Sequence, residues 1–190
     1  MDTAVAPQHE RTPVLTVGTV VWLASELMFF SGLFAAYFTL RATAQGDWPP
    51  HDVELEVVTS GLFTLGLVLS SGTMQLAVRS VVADRLPAFR RWIIATFDLA
   101  AAFIANQAHE WSSLEFQVDS HSYGSAFYVM TGFHGLHVLG GMLGMVILLG
   151  RAGSRRFGAV DAPAVEMVSY YWHFVAVVWV GLWATLFLLK

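Results

Sequence analysis

Apolar residues gather along this chain in five long runs, and polar stretches break the runs apart. The runs cover about residues 14–40, 57–78, 90–111, 124–150 and 167–189. Each reaches the roughly 20 residues that an α-helix needs to cross a bilayer. The pattern predicts an all-α polytopic membrane protein: a bundle of five transmembrane helices, with residues 1–190 forming a single domain. Runs two and three carry several polar residues each. No repeat at a fixed period is visible. The first run is longer than the apolar core of a signal peptide and is followed by no small-residue cleavage site, so no cleavable signal is expected.

The connecting stretches alternate in character. "RATAQGDWPPHDVELE" holds a proline pair that cannot continue a helix. "RSVVADRLPAFRR" and "RAGSRRFGAVDAPAVE" are basic, whereas "SSLEFQVDSHSYG" is acidic and carries a histidine. Placing the N-terminus inside collects Arg11, Arg79, Arg85, Arg90, Arg91, Arg151, Arg155 and Arg156 on the inner side, and leaves Arg41 and Lys190 outside. Basic residues concentrate in cytoplasmic loops, so the N-terminus is expected in the cytoplasm and the C-terminus outside.

Composition agrees with the pattern. The chain is 56% hydrophobic and 13% charged, where a soluble domain is about 45–50% apolar and about 25% charged. Cysteine is absent, which excludes disulfides, thiolate catalysis, Cys-ligated zinc and iron–sulfur clusters. The formal net charge of −4 adds nothing to what the distribution of charges already says.

Polar residues inside the runs are the candidate chemistry. Glu26 lies near the middle of run one, where an ionised carboxylate costs about 2.5–3.5 kcal/mol on insertion scales. Asp98 sits partway into run three, with Gln107 and Glu110 towards its outer end. His134 and His137 share one face of run four. Glu166 and His173 fall near the inner start of run five. At about 1.5 Å per residue, Glu26 lies about 16 Å from the inner side, His137 about 20 Å, His134 about 24 Å and Asp98 about 12–15 Å. Glu26 and His137 are therefore expected as neighbours, with Asp98 also within reach of Glu26. Three readings of the histidines follow: ligands of haem or copper, as imidazole can be; a proton relay with Glu26; or struts whose hydrogen bonds satisfy the buried acid.

Other features have plainer readings. His9, His51, His109 and His121 lie in the tail, in loops or at a helix end and are expected to be solvated. Trp48, Trp111 and Trp172 suit an aromatic belt at the membrane boundary. Gly140 and Gly144, four apart, would let another helix approach closely.

Longer motifs say more. "YGSAFYVMTGFHGLHVLGG" at 123–141 resembles the signature of subunit III of haem–copper respiratory oxidases. "YYWHFVAVVWVGLW" at 170–183 resembles the closing motif of that family, and "SELMFFSGLFAAYF" at 25–38 its buried-glutamate helix. "NQAHEW" at 106–111 occupies the place of its Gln-x-x-Glu-aromatic motif. The matches run in family order over most of the chain. Ser25-Glu26 and Phe133-His134 resemble cytochrome c oxidases of the aa3 kind more than quinol oxidases. The length resembles the short five-helix bacterial form.

The resemblance implies a non-catalytic subunit of a proton-pumping complex that passes electrons from cytochrome c to dioxygen. It implies no metal and no catalytic residue in this chain, with haem a and copper held by subunits I and II. It also implies a bacterial plasma-membrane location, subunit I as main contact, bound phospholipid and support of proton uptake by subunit I, and it leaves open whether the oxidase joins a cytochrome bc-type complex in a supercomplex. His134 and His137 become struts around Glu26. The alternatives are a quinol-oxidase subunit and an independent proton-coupled transporter. The chain departs from the family at Ala176, where the closing motif usually has Asp, and at Asn106, where Gly is common. Asp98 is not a family feature; it is expected to stand in for the missing carboxylate near His173.

Overall fold

The computed structural model describes residues 14–51, 53–154 and 157–189, the side chains of Val14 and Leu15 excepted. His9, Arg11, Arg155, Arg156 and Lys190 lie outside the described residues. The chain folds as α1 (Val14–Thr43), α2 (Val57–Val82), α3 (Leu86–Ser113), α4 (Ser122–Arg151) and α5 (Ala162–Trp183). A short 3₁₀ turn, Ala159–Asp161, leads into α5, and a π-turn, Ala184–Leu188, extends it. No strand occurs among the described residues.

Four stretches, Thr16–Thr43, Val57–Val82, Ser122–Arg151 and Ala159–Leu188, are long and apolar enough to cross a membrane. The α3 helix has the length, at 28 residues, but Arg90, Arg91, Asp98, His109 and Glu110 make it too polar to qualify by composition.

Contacts between distant residues show how the helices alternate. At one end of the bundle Arg90 of α3 donates to the carbonyl of Ala152 just past α4, and Phe89 meets Phe157 with ring centroids 5.3 Å apart. Arg151 pairs with Asp161 at 2.6 Å. This end gathers Arg79, Arg85, Arg90, Arg91 and Arg151. At the other end Tyr37 of α1 donates to the Thr185 carbonyl at 3.3 Å, and Tyr123 of α4 to the Leu186 carbonyl at 2.9 Å. Trp48 of the α1–α2 connection donates to the Tyr37 hydroxyl at 3.0 Å.

Helix α5 runs through the middle, against α1, α2 and α4, while α3 packs on α2 and α4. Two indoles anchor α5 to α2: Trp172 Nε1–H donates to Ser70 Oγ at 2.9 Å and Trp179 Nε1–H to Thr64 Oγ1 at 2.8 Å. Each bond satisfies a donor that would otherwise be orphaned in a dry core. The glycines of α4 bring α5 close. A Cβ on Gly141 would lie 2.7 Å from Cε3 of Trp172, closer than any carbon contact allows, and one on Gly140 would lie 3.1 Å from the Tyr171 hydroxyl. Gly144 faces Val168 with more room, at 3.4 Å.

Several expectations need correction. Trp172 is fully buried in the core, not part of a boundary belt, because α5 begins at Ala162 rather than at residue 167. The same shift moves His173 away from the start of the helix: it lies eleven residues into α5, about 17 Å along the axis. His121 caps α4, its Nδ1 accepting from the Gly124 N–H at 2.8 Å and satisfying one of the free donors at a helix start.

Candidate functional site

The structure brings Glu26 of α1 and His137 of α4 together across 111 residues of sequence. His137 Nε2 lies 2.9 Å from Glu26 Oε2, and His137 Nδ1 lies 2.6 Å from the carbonyl oxygen of Phe133. A carbonyl can only accept, so Nδ1 carries a hydrogen and donates it back one turn of helix. Nε2 is then left to the carboxyl group. A neutral imidazole accepts there from a carboxylic O–H, and an imidazolium donates there to a carboxylate. In both arrangements the pair holds one proton between its members and is neutral as a unit, which is how a carboxyl group is tolerated at this depth.

Aromatic rings enclose the pair. Phe30 lies edge-on to His137 with centroids 4.9 Å apart, and Phe29 meets Phe133 at 5.0 Å. Tyr171 of α5 donates its hydroxyl to the His137 carbonyl at 2.8 Å, and Trp22 of α1 stacks on the Tyr171 ring at 5.0 Å with planes 10° apart. Three helices thus converge on His137. The side chains of His137 and Glu26 retain 16% and 22% exposure, so the site opens towards the α1–α4 surface rather than lying at the centre.

His134 is different. It is wholly buried, and neither ring nitrogen has a hydrogen-bond partner among the described residues. Its surroundings are rings: Trp179 at 4.8 Å, Phe103 at 5.8 Å and perpendicular, and Phe30 at 6.5 Å. It does not touch Glu26 by a hydrogen bond. It works as an aromatic filler where α3, α4 and α5 meet.

This donor set does not fit a haem or a copper ion. Both nitrogens of His137 are already committed to protein groups, and His134 has ring edges and faces where a metal would need space. No group of three or more His, Asp or Glu side chains is placed to hold a metal among the described residues.

The remaining polar residues are dispersed. Asp98 is exposed on α3 and bonds to neither Glu26 nor His173 among the described residues. His173 instead meets Ser169 one turn back, with Nε2 3.1 Å from Oγ, so Asp98 does not replace the absent carboxylate. Ala176 is buried in the core. Glu166 is half-buried in the second turn of α5. Gln107 is buried with its amide nitrogen unpaired. Glu110 lines a cavity of about 580 Å³ with His51, Glu54, Glu56, His109 and Glu115.

Sequence reading missed Tyr171 and Trp22, which hold the backbone and the aromatic wall of the site. Their signal was weak: both are aromatic residues in apolar runs, and only the tertiary fold sets them against His137.

Comparison with known proteins agrees in one direction. The family model described as "Cytochrome c oxidase subunit III" matches residues 5–189. The chain is 45% identical to "Probable cytochrome c oxidase subunit 3" of Nocardia farcinica (strain IFM 10152), over 95% of this chain and 90% of that one. It is 41% identical to "Cytochrome c oxidase subunit 3" of Corynebacterium diphtheriae, over 97% of this chain and 95% of the relative. The protein of the same name from Thermostichus vulcanus is 36% identical, over 98% and 92%.

Proposed function

The chain belongs to the cytochrome c oxidase subunit III family, and from that premise we propose that it is the non-catalytic third subunit of an aa3-type enzyme. It is a subunit III of a haem–copper oxidase, a membrane complex whose reaction is an oxidoreduction. In our reading the electrons come from cytochrome c, the acceptor is dioxygen, and haem a and copper reside in subunits I and II. The chain spans the bacterial plasma membrane five times, α3 included, with its N-terminus in the cytoplasm. The gathering of Arg79, Arg85, Arg90, Arg91 and Arg151 at one end of the bundle supports that orientation.

The observation that carries the reading is the commitment of both His137 nitrogens, to Phe133 and to Glu26. An imidazole held in this way orients an acid and ties two helices together; it has no lone pair left for a redox metal. The chain's part is accordingly mechanical. It packs beside subunit I, helps proton uptake there to continue over many turnovers, and takes phospholipid along the exposed apolar faces of α1 and α4, where Phe29, Phe133 and Leu136 face outward.

Purifying the tagged chain and recording its visible spectrum tests this. Co-purification with a haem a-bearing partner is expected, as is oxygen uptake driven by cytochrome c. Isolation of this chain alone carrying its own haem contradicts the reading. Uptake driven by quinol but not by cytochrome c replaces the aa3 assignment with a quinol oxidase.

A further inference from the structure

Asp98 is an intramembrane acid whose position the proposed function leaves unexplained. It lies twelve residues into the 28-residue α3, within about 3 Å of the helix midpoint along the axis. It faces outward and makes no hydrogen bond or ion pair among the described residues. A carboxylate directed from mid-helix into hydrocarbon is costly, and such groups mark a partner or a pathway.

The surface around Asp98 is shaped for a helix. Arg91, Ile94, Asp98, Ala102, Ala105 and His109 are all exposed and recur at three- and four-residue spacing, which is one stripe along α3. Asp98 sits at the middle of that stripe. Ala102 and Ala105 keep it low beyond the acid. Ala102 also borders an apolar groove of about 250 Å³ between α2 and α3, lined by Leu62, Leu65, Gly66, Leu69 and Leu99. Small residues beside a groove let a second backbone come close.

We propose that the α3 stripe centred on Asp98, with the adjoining α2–α3 groove, docks a transmembrane helix of another oxidase subunit. That helix carries an arginine, lysine or protonated histidine at mid-bilayer depth. Charge complementarity selects this occupant. An acyl chain fills the groove but offers no donor to the carboxylate. A second copy of this chain related by a twofold axis along the membrane normal sets Asp98 against Asp98. The cation on the stripe, Arg91, is seven residues and about 10 Å away at the helix end. The polarity of α3, which keeps it below the composition of the other four helices, is what a helix covered by protein rather than lipid can carry.

The inference rests on the oxidase-subunit reading, and its test separates the two. The full chain, tagged and expressed with its own oxidase, is prepared with a benzophenone amino acid at Ala102. Illumination is expected to join it to another oxidase subunit. The adduct should map to a transmembrane helix with Arg, Lys or His within one turn. D98L is expected to reach the membrane normally but to occupy the detergent-purified complex about tenfold less, while D98E retains occupancy. If the unmodified chain fails to purify with haem-bearing subunits, the oxidase reading itself falls. If it does purify with them, three results each overturn this inference and leave that reading standing: Ala102 adducts with lipid only, adducts with a second copy only, or full occupancy by D98L.

Discussion

Helices α5 and α1 are both long apolar spans, yet 56% of the most apolar stretch of α5 is buried in the bundle against 11% for α1. The α5 interface is made of shape. Trp172 and Trp179 fill it, Ser70 and Thr64 satisfy their indole N–H groups, and Gly141 leaves room for one ring and nothing more. The α1 interface is made of ties: a carboxyl–imidazole pair, a stacked Trp–Tyr pair and two donors reaching the end of α5, the Tyr37 hydroxyl to the Thr185 carbonyl and the Arg41 guanidinium to the Leu189 carbonyl. Lipid is as apolar as leucine, so burial alone does not hold membrane helices together. A central helix gains its contacts from close packing, and an edge helix needs polar anchors.

The largest effect should follow from emptying the shape-based interface. Trp172→Ala removes a fully buried indole and leaves Ser70 facing a void, at a cost of about 3–5 kcal/mol. The chain should fail to accumulate in membranes, measured by immunoblot against wild type. Overfilling is the next test. Gly141→Ala places a methyl 2.7 Å from Trp172 and should cost about 1–3 kcal/mol, read as a lower midpoint of thermal aggregation of the solubilised complex. Gly135→Ala on the same helix meets nothing within 4 Å. It should be neutral or raise that midpoint by an amount equivalent to up to about 1 kcal/mol. Equal losses from both glycine variants would mean that the α4–α5 contact is not close-packed.

On the α1 side, Trp22→Ala should remove a stacking contribution of about 0.5–1.5 kcal/mol. The loss should appear as faster proteolysis of α1 in detergent while α2–α5 stay protected. The smallest change belongs to an exposed position that packs on no other helix of the chain. Val58→Ala, at a site 87% exposed, should stay within about 0.5 kcal/mol of wild type by thermal midpoint.

The same contrast explains what could be read in advance. The five helices follow from runs of apolar residues, because a bilayer admits few other ways to satisfy a backbone. Glu26 and His137 could be matched because depth along a helix is simple arithmetic once topology is set. The α5 interface was opaque. Ser70 and Thr64 look like ordinary small residues of an apolar run, and their indole partners lie more than a hundred residues away. Gly141 outranks Gly140 and Gly144 because of where Trp172 lands, which no spacing reveals. The start of α5, five residues earlier than hydropathy suggested, carried Trp172 and His173 into the interior. Asp98 could be seen as an acid within an apolar run, but its outward direction depends on how α3 rolls against α2 and α4.

A double-mutant cycle on Glu26 and His137 tests the central claim most directly. The midpoint of detergent-induced release of the chain from the complex is measured for wild type, Glu26→Leu, His137→Leu and the double variant. Each single change should cost about 1–3 kcal/mol by leaving its partner unpaired, and the double should cost no more than either single, with the complex keeping its haem throughout. Strictly additive losses, or loss of haem from any of the variants, would contradict a structural pair that shares one proton.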